Sequence, residues 1–175
     1  MTEHHDSSAT DPVRVSSSPE DVASVRTIME DTDIAMVTTV DSSGTGRLTS
    51  RPLSTQRAER DGDVVFLTRR DSALVRDITA NPQVNVAYAS RKAWVSLAGT
   101  AAVVDDRALV KELWSKGADL FMEGGPENPN NIALRVEGDT AELWGGDSLI
   151  GTAVSMVKAI TGNKDDDGTV VVELP

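Results

Sequence analysis

Residues 34–68, IAMVTTVDSSGTGRLTSRPLSTQRAERDGDVVFLT, decide the fold class. Ile34 to Val40 is a nearly continuous apolar run, and Asp41-Ser42-Ser43-Gly44 is a turn. A second strand is expected from Gly46 to about Arg57, a second turn at Asp61-Gly62, and a third strand at Val64-Val65-Phe66-Leu67-Thr68. Strand, turn and strand repeated at this spacing is a hairpin signal.

Upstream, Ser18-Pro19-Glu20-Asp21 reads as a helix start, with a capping serine, a proline in the first turn and acids at the positive end of the helix dipole. Val22, Val25 and Met29 give that helix an apolar stripe ending near Asp31. Downstream the period changes: Leu74, Val75 and Ile78 mark a short helix that begins near Asp71 or Ser72 and closes before Asn81-Pro82. Val84, Val86 and Tyr88 alternate on a strand. Trp94 to Val104 forms a longer one, with Gly99 as a bulge or close-approach point. Leu109, Val110, Leu113 and Trp114 predict a helix stopping at Gly117, followed by a Gly/Pro/Asn-rich loop over 118–130. Ile132, Leu134 and Val136 alternate, Gly138-Asp139 is expected to turn, and Ala141 to Trp144 to return. Gly145-Gly146 breaks that strand, a helix carries Ile150, Val154, Val157 and Ile160, and Thr169 to Leu174 is a terminal strand.

The sum is a mainly β chain of seven or eight largely antiparallel strands with four short helices, and closing them into a barrel removes the open edges. Residues 1–17 are expected to form a disordered acidic tail, and 18–175 a single domain.

Composition narrows the function. The chain has 175 residues, no cysteine and a net charge of −11. Thiolate chemistry and cysteine metal sites are out, and a field of that sign disfavours nucleic acid and anionic membranes. No basic start and apolar run mark an export signal, so a cytoplasmic location is expected. The two histidines, His4 and His5, lie in the tail, which argues against a Ser-His-Asp triad and against a histidine-held metal. Gly44-Thr45-Gly46 joins two strands and lacks the third glycine of a dinucleotide fingerprint. Asn163 to Gly168 starts like a calcium loop, but its closing position is Leu174.

The charge is uneven. Residues 47–92 hold nine Lys/Arg against five Asp/Glu, a basic island in an acidic chain. Within it, Arg51 on the second strand, Thr68 at the end of the third and Ser72 at the helix start can converge with the free amides of that helix. Fixed charge, hydroxyl donors and a favourable dipole make a phosphate site. The alternative is that Arg51 pairs with a nearby acid and Ser72 only caps.

The segments 35–53, 63–86 with Asn81-Pro82-Gln83-Val84, and 94–104 with Gly99-Thr100-Ala101 resemble, in order and spacing, the pyridoxamine 5′-phosphate oxidase-like split-barrel superfamily, most closely the general stress protein 26 type. Gly124-Gly125-Pro126 and Glu142-Leu143-Trp144 fit the same group. The resemblance implies a six-stranded antiparallel split barrel with short flanking helices, a homodimer, and FMN in a groove between subunits. It puts the phosphate on Arg51, Thr68 and Ser72, and the flavin along Pro52, Leu53, Phe66 and Leu67. The partner chain would supply the segment around Trp94 and Ser96. Leu74 stands where many relatives carry a phosphate-binding lysine, and Trp144 to Ser148 lacks the arginine-histidine-aspartate motif of authentic oxidases, so vitamin B6 oxidation is not expected. What is implied is an FMN-dependent oxidoreductase linked to stress, with a small-molecule electron donor or acceptor. The alternatives are a flavin-binding stress protein without turnover, or a deazaflavin-dependent reductase drawing on Arg57, Arg69 and Arg70.

Overall fold

Burial alternates along the strands at 34–40, 83–89 and 93–104, and pairing of the strands turns the chain into a barrel. In the computed structural model, which describes residues 14–16, 18–59, 62–91, 93–145 and 169–174, the strands are β1 (Arg14–Ser16), β2 (Ile34–Val40), β3 (Leu48–Ala58), β4 (Val64–Arg69), β5 (Gln83–Ala89), β6 (Ala93–Val104), β7 (Asn131–Gly145) and β8 (Thr169–Glu173). The helices are α1 (Pro19–Glu30), α2 (Ala73–Ala80), α3 (Arg107–Leu113) and α4 (Ala118–Phe121). The sheet runs β1-β8-β7-β4-β3-β2-β5-β6, and β6 pairs back onto β7, so six antiparallel strands close on themselves. Ala35, Val37, Phe66, Val86, Val95, Leu97 and Leu134 fill the interior. A smaller cluster of Val65, Val110 and Ala133 forms where α3 packs outside β4 and β7.

Local chemistry sets the helix starts. The Ser18 hydroxyl accepts from the Asp21 amide to start α1, and the Asp106 carboxylate accepts from the Ala108 and Leu109 amides to start α3. Gly99 is the predicted close-approach point: a methyl group there would run into the Glu137 carbonyl.

Other expectations are corrected. Gly138-Asp139 does not turn the chain. β7 is one strand of fifteen residues, and the register slips from Gly99↔Gly138 to Ala98↔Thr140, leaving Asp139 as the extra residue of a bulge. The unbroken β6 pairs with both halves of β7, so the glycine serves a tight crossing and no turn forms. The helix expected to reach Gly117 ends at Leu113 with Trp114 as its cap, and the 118–130 loop contains α4. Arg14–Ser16, inside the expected tail, pairs in parallel with β8. His4 and His5, the helix expected around 150–160 and the 163–168 motif lie outside the described residues. Among the described residues, no helix is long and apolar enough to cross a membrane.

Candidate functional site

The junction between β4 and α2 gathers hydroxyls and backbone N–H groups at the start of a helix. Val64 and Phe66 point into the core, so alternation turns Thr68 the same way at the strand's exit, where it is half-buried. The Ser72 hydroxyl caps α2 by accepting from the Val75 amide at 3.2 Å. The first amides of the helix, at Ala73 and Leu74, have no acceptor within the helix itself and carry the positive end of its dipole. The preceding turn is fastened from the other side. The Arg70 amide donates to the Asn130 carbonyl at 2.7 Å, and the Asp71 amide donates to the Asn130 side-chain oxygen at 3.1 Å. The Gly/Pro/Asn-rich loop is therefore a wall of this junction.

Arg51 takes the alternative that the sequence left open, pairing with an acid, while Ser72 caps α2. The β3–β4 register is Thr55↔Phe66, and continued by count it sets Leu53 across from Thr68 and Arg51 level with the strand exit. The guanidinium makes no hydrogen bond to Thr68 or Ser72 among the described residues. Its Nη2 donates to the Asp77 carboxylate at 2.8 Å, and its Nη1 donates to the Thr39 hydroxyl at 3.0 Å. Asp77 lies five residues beyond Ser72, about 7.5 Å further along the helix axis. Thr39 also donates to Asp77 at 3.1 Å, and the Ser42 amide donates to the other carboxylate oxygen at 2.9 Å. Burial pushes the Asp77 carboxyl up, but hydrogen bonds from Ser42, Arg51 and Thr39 outweigh it and hold the group below the usual carboxylate range. Thr39 and Asp77 are buried, while the Arg51 side chain keeps 25% exposure.

The remaining residues separate into three places. Leu53, Phe66 and Leu74 have side chains in the core, leaving only their backbone for a ligand. Leu67 packs on the cluster beneath α3. Pro52, Trp94 and Ser96 sit on the outer face of the barrel. Pro52 lies opposite Met36, Trp94 lies between Ala89 and Trp144, and Ser96 accepts a 2.7 Å hydrogen bond from Asn85. Within one chain, Trp94 and Ser96 do not meet the α2 junction.

Thr39, Asp77 and Asn130 were missed by sequence reasoning. Asp77 alone left a signal: it falls three residues after Leu74 and one before Ile78, inside the apolar stripe of α2, where a carboxylate needs a partner.

Comparison with known proteins gives the family. Residues 20–167 match the family described as pyridoxamine 5′-phosphate oxidase like. The chain belongs to that family. Protein bli-3 of Neurospora crassa is 32% identical over 124 residues, which cover 65% of this chain and 59% of that protein. The chain thus matches under two thirds of that relative's length. Among solved structures, the general stress protein 26 of Bacillus anthracis superposes with a TM-score of 0.64 at 21% identity, covering 71% of this chain and 93% of the other. The general stress FMN/FAD binding protein of Xanthomonas citri gives 0.58 at 26% identity, covering 71% and 87%.

Within this pyridoxamine 5′-phosphate oxidase-like chain, the leucine at 74 has a structural reason, since it is part of the core beneath α2. The neighbouring arginines are already engaged. Arg69 makes two hydrogen bonds to Asp71, at 3.1 and 2.8 Å, and holds that carboxyl below its usual range. Arg70 pairs with Asp105 at 2.7 Å.

Proposed function

We propose that this protein binds FMN, with the phosphate at the β4–α2 junction and the ring system in a groove completed by a second copy of the chain. The observation that carries the reading is the donor set at that junction: the Thr68 and Ser72 hydroxyls, the open amides of Ala73 and Leu74, and the exposed edge of Arg51. These are the donor types a phosphomonoester accepts. The relative from Xanthomonas citri, described as FMN/FAD binding, supports a flavin as the occupant. Bound there, FMN would supply hydride and electron transfer, making the protein an oxidoreductase towards a small-molecule donor or acceptor. The chain's own groups bind and orient.

The second copy is argued from charge. In a chain that is 26% charged, the stretches 34–40, 48–54, 83–89 and 93–104 contain one charged residue, Arg51, and it faces inward to Asp77. The outer face of β3, β2, β5 and β6 carries Ile34, Met36 and Trp94, which are 52%, 40% and 48% exposed. A partly apolar face, uncharged along these four stretches, suits burial against an identical face. It would bring Trp94 and Ser96 of one copy towards the junction of the other.

The test is the visible spectrum of purified protein after FMN addition and desalting, beside Arg51→Ala. Wild type should stay yellow and the variant lose its colour. A colourless wild type overturns the FMN reading; colour retained by both keeps the flavin and removes Arg51 as an anchor.

A further inference from the structure

We infer that Asp77 is a positioning residue for the phosphate of the bound ligand, acting through Arg51. The inference rests on the FMN reading and adds to it a residue that never touches the ligand.

The geometry is a closed ring of three side chains on three elements. Arg51 on β3 donates to Thr39 on β2 and to Asp77 on α2, and Thr39 donates to Asp77 in turn. The Ser42 amide completes the set on the second carboxylate oxygen, so the β2–β3 turn is held by the same group. The Asp77 side chain is 3% exposed. A carboxylate so buried cannot release its arginine cheaply, because the uncompensated charge would stay in the interior. Arg51 therefore stays docked when an anion arrives.

Docking leaves donors in hand. A guanidinium has five N–H groups, and the recorded bonds involve Nη1 once and Nη2 once. Three N–H groups take no acceptor among the described residues, on a side chain that is a quarter exposed. Asp77 fixes the plane of the fork and thereby the direction of those free donors. Its position costs something locally: a carboxylate in the second half of a helix opposes the dipole. The bonds to Arg51, Thr39 and Ser42 offset that cost. An arginine without this clamp would sample many rotamers and give up part of each hydrogen bond in ordering.

The experiment compares FMN with riboflavin, which has the same ring system and no phosphate, by fluorescence titration of the full chain. The readout is the ratio of the two dissociation constants. A loss of fold or of ring contacts moves both constants together, while a loss of phosphate positioning moves the ratio. Wild type should prefer FMN, and Arg51→Ala should lower the preference by about tenfold or more, as expected for hydrogen bonds to a charged group. Asp77→Asn keeps the shape and an acceptor for the Ser42 amide but loses the charge that fixes the guanidinium; it should lower the ratio by at least about threefold with riboflavin binding unchanged. An unchanged or higher ratio overturns the inference, a higher one making Asp77 a competitor for Arg51. Should Asp77→Asn not fold, Thr39→Val and Thr39→Ser decide. Valine should lower the ratio and serine restore it; equal ratios overturn the proposal. A wild type that binds neither flavin overturns the FMN reading and this inference with it. A wild type that prefers FMN beside an unchanged Asp77→Asn overturns the inference alone.

Discussion

The two faces of β2, β3, β5 and β6 treat charge in opposite ways. Inside, beneath α2, a single arginine is neutralised by a buried carboxylate that also accepts from the Thr39 hydroxyl and the Ser42 amide. Outside, the stretches 34–40, 48–54, 83–89 and 93–104 of the same strands present serine, threonine, asparagine, alanine and a few large apolar side chains, while Arg57, at the far end of β3, pairs with Glu59 and with Glu112 on α3. The inner arrangement orders one cation within its own chain. The outer one can be covered without desolvating a charge. The comparison teaches that one sheet can order a cation on its inner side and keep long stretches of its outer side free of charge because side chains alternate every residue.

Moving a charge across the sheet would break that distinction most strongly. Val37 is fully buried, and its neighbour Thr38 faces outward beside Ser50 and Asn85. Val37→Asp should cost at least about 4 kcal/mol and abolish cooperative unfolding in urea, since it buries an unpaired charge. Thr38→Asp should leave the barrel folded by circular dichroism and, on the proposed pairing of two copies, shift the protein to monomer in sedimentation. Equal loss of fold in both variants would remove the distinction.

Removing the inner carboxylate is the next largest change. Asp77→Ala should lower the unfolding free energy by about 3 kcal/mol near neutral pH, the low end for a broken buried pair because Arg51 is partly exposed. The Asp77 carboxyl is held below its ordinary range in the folded state, so its contribution is present above the unfolded value near pH 3.9 and is lost as pH falls through the folded value. The gap between wild type and variant in urea midpoint should therefore narrow in acid. A gap independent of pH would show that packing, and not the charge, carries the effect.

The smallest effect belongs to the cap. Ser72→Ala removes the acceptor for the Val75 amide and should cost about 1 kcal/mol, read as a small fall in melting temperature. A fall as large as that of Asp77→Ala would mean that α2 is held by its first turn and not by the ring around Arg51.

What the sequence determined by itself is what short periods encode. Apolar runs between turns mark the strands around Ile34 and Val64, alternation marks Val84 to Tyr88, the spacing of Leu74, Val75 and Ile78 marks α2, and Ser18, Ser72 and Asp106 stand where caps are needed. Arg51, Thr68 and Ser72 were legible as candidates because anion chemistry narrows the residue types. Tertiary structure alone decided whom Arg51 meets. Its partner lies 26 residues away on another element, and several nearby acids satisfied the same electrostatic rule. It also decided that Gly138-Asp139 is a bulge: the local signal for a turn is the same glycine, and only pairing with the unbroken β6 keeps the strand going. Local sequence sets conformation through backbone sterics and near-neighbour hydrogen bonds, while the choice of distant partner depends on packing that closes only when the barrel does.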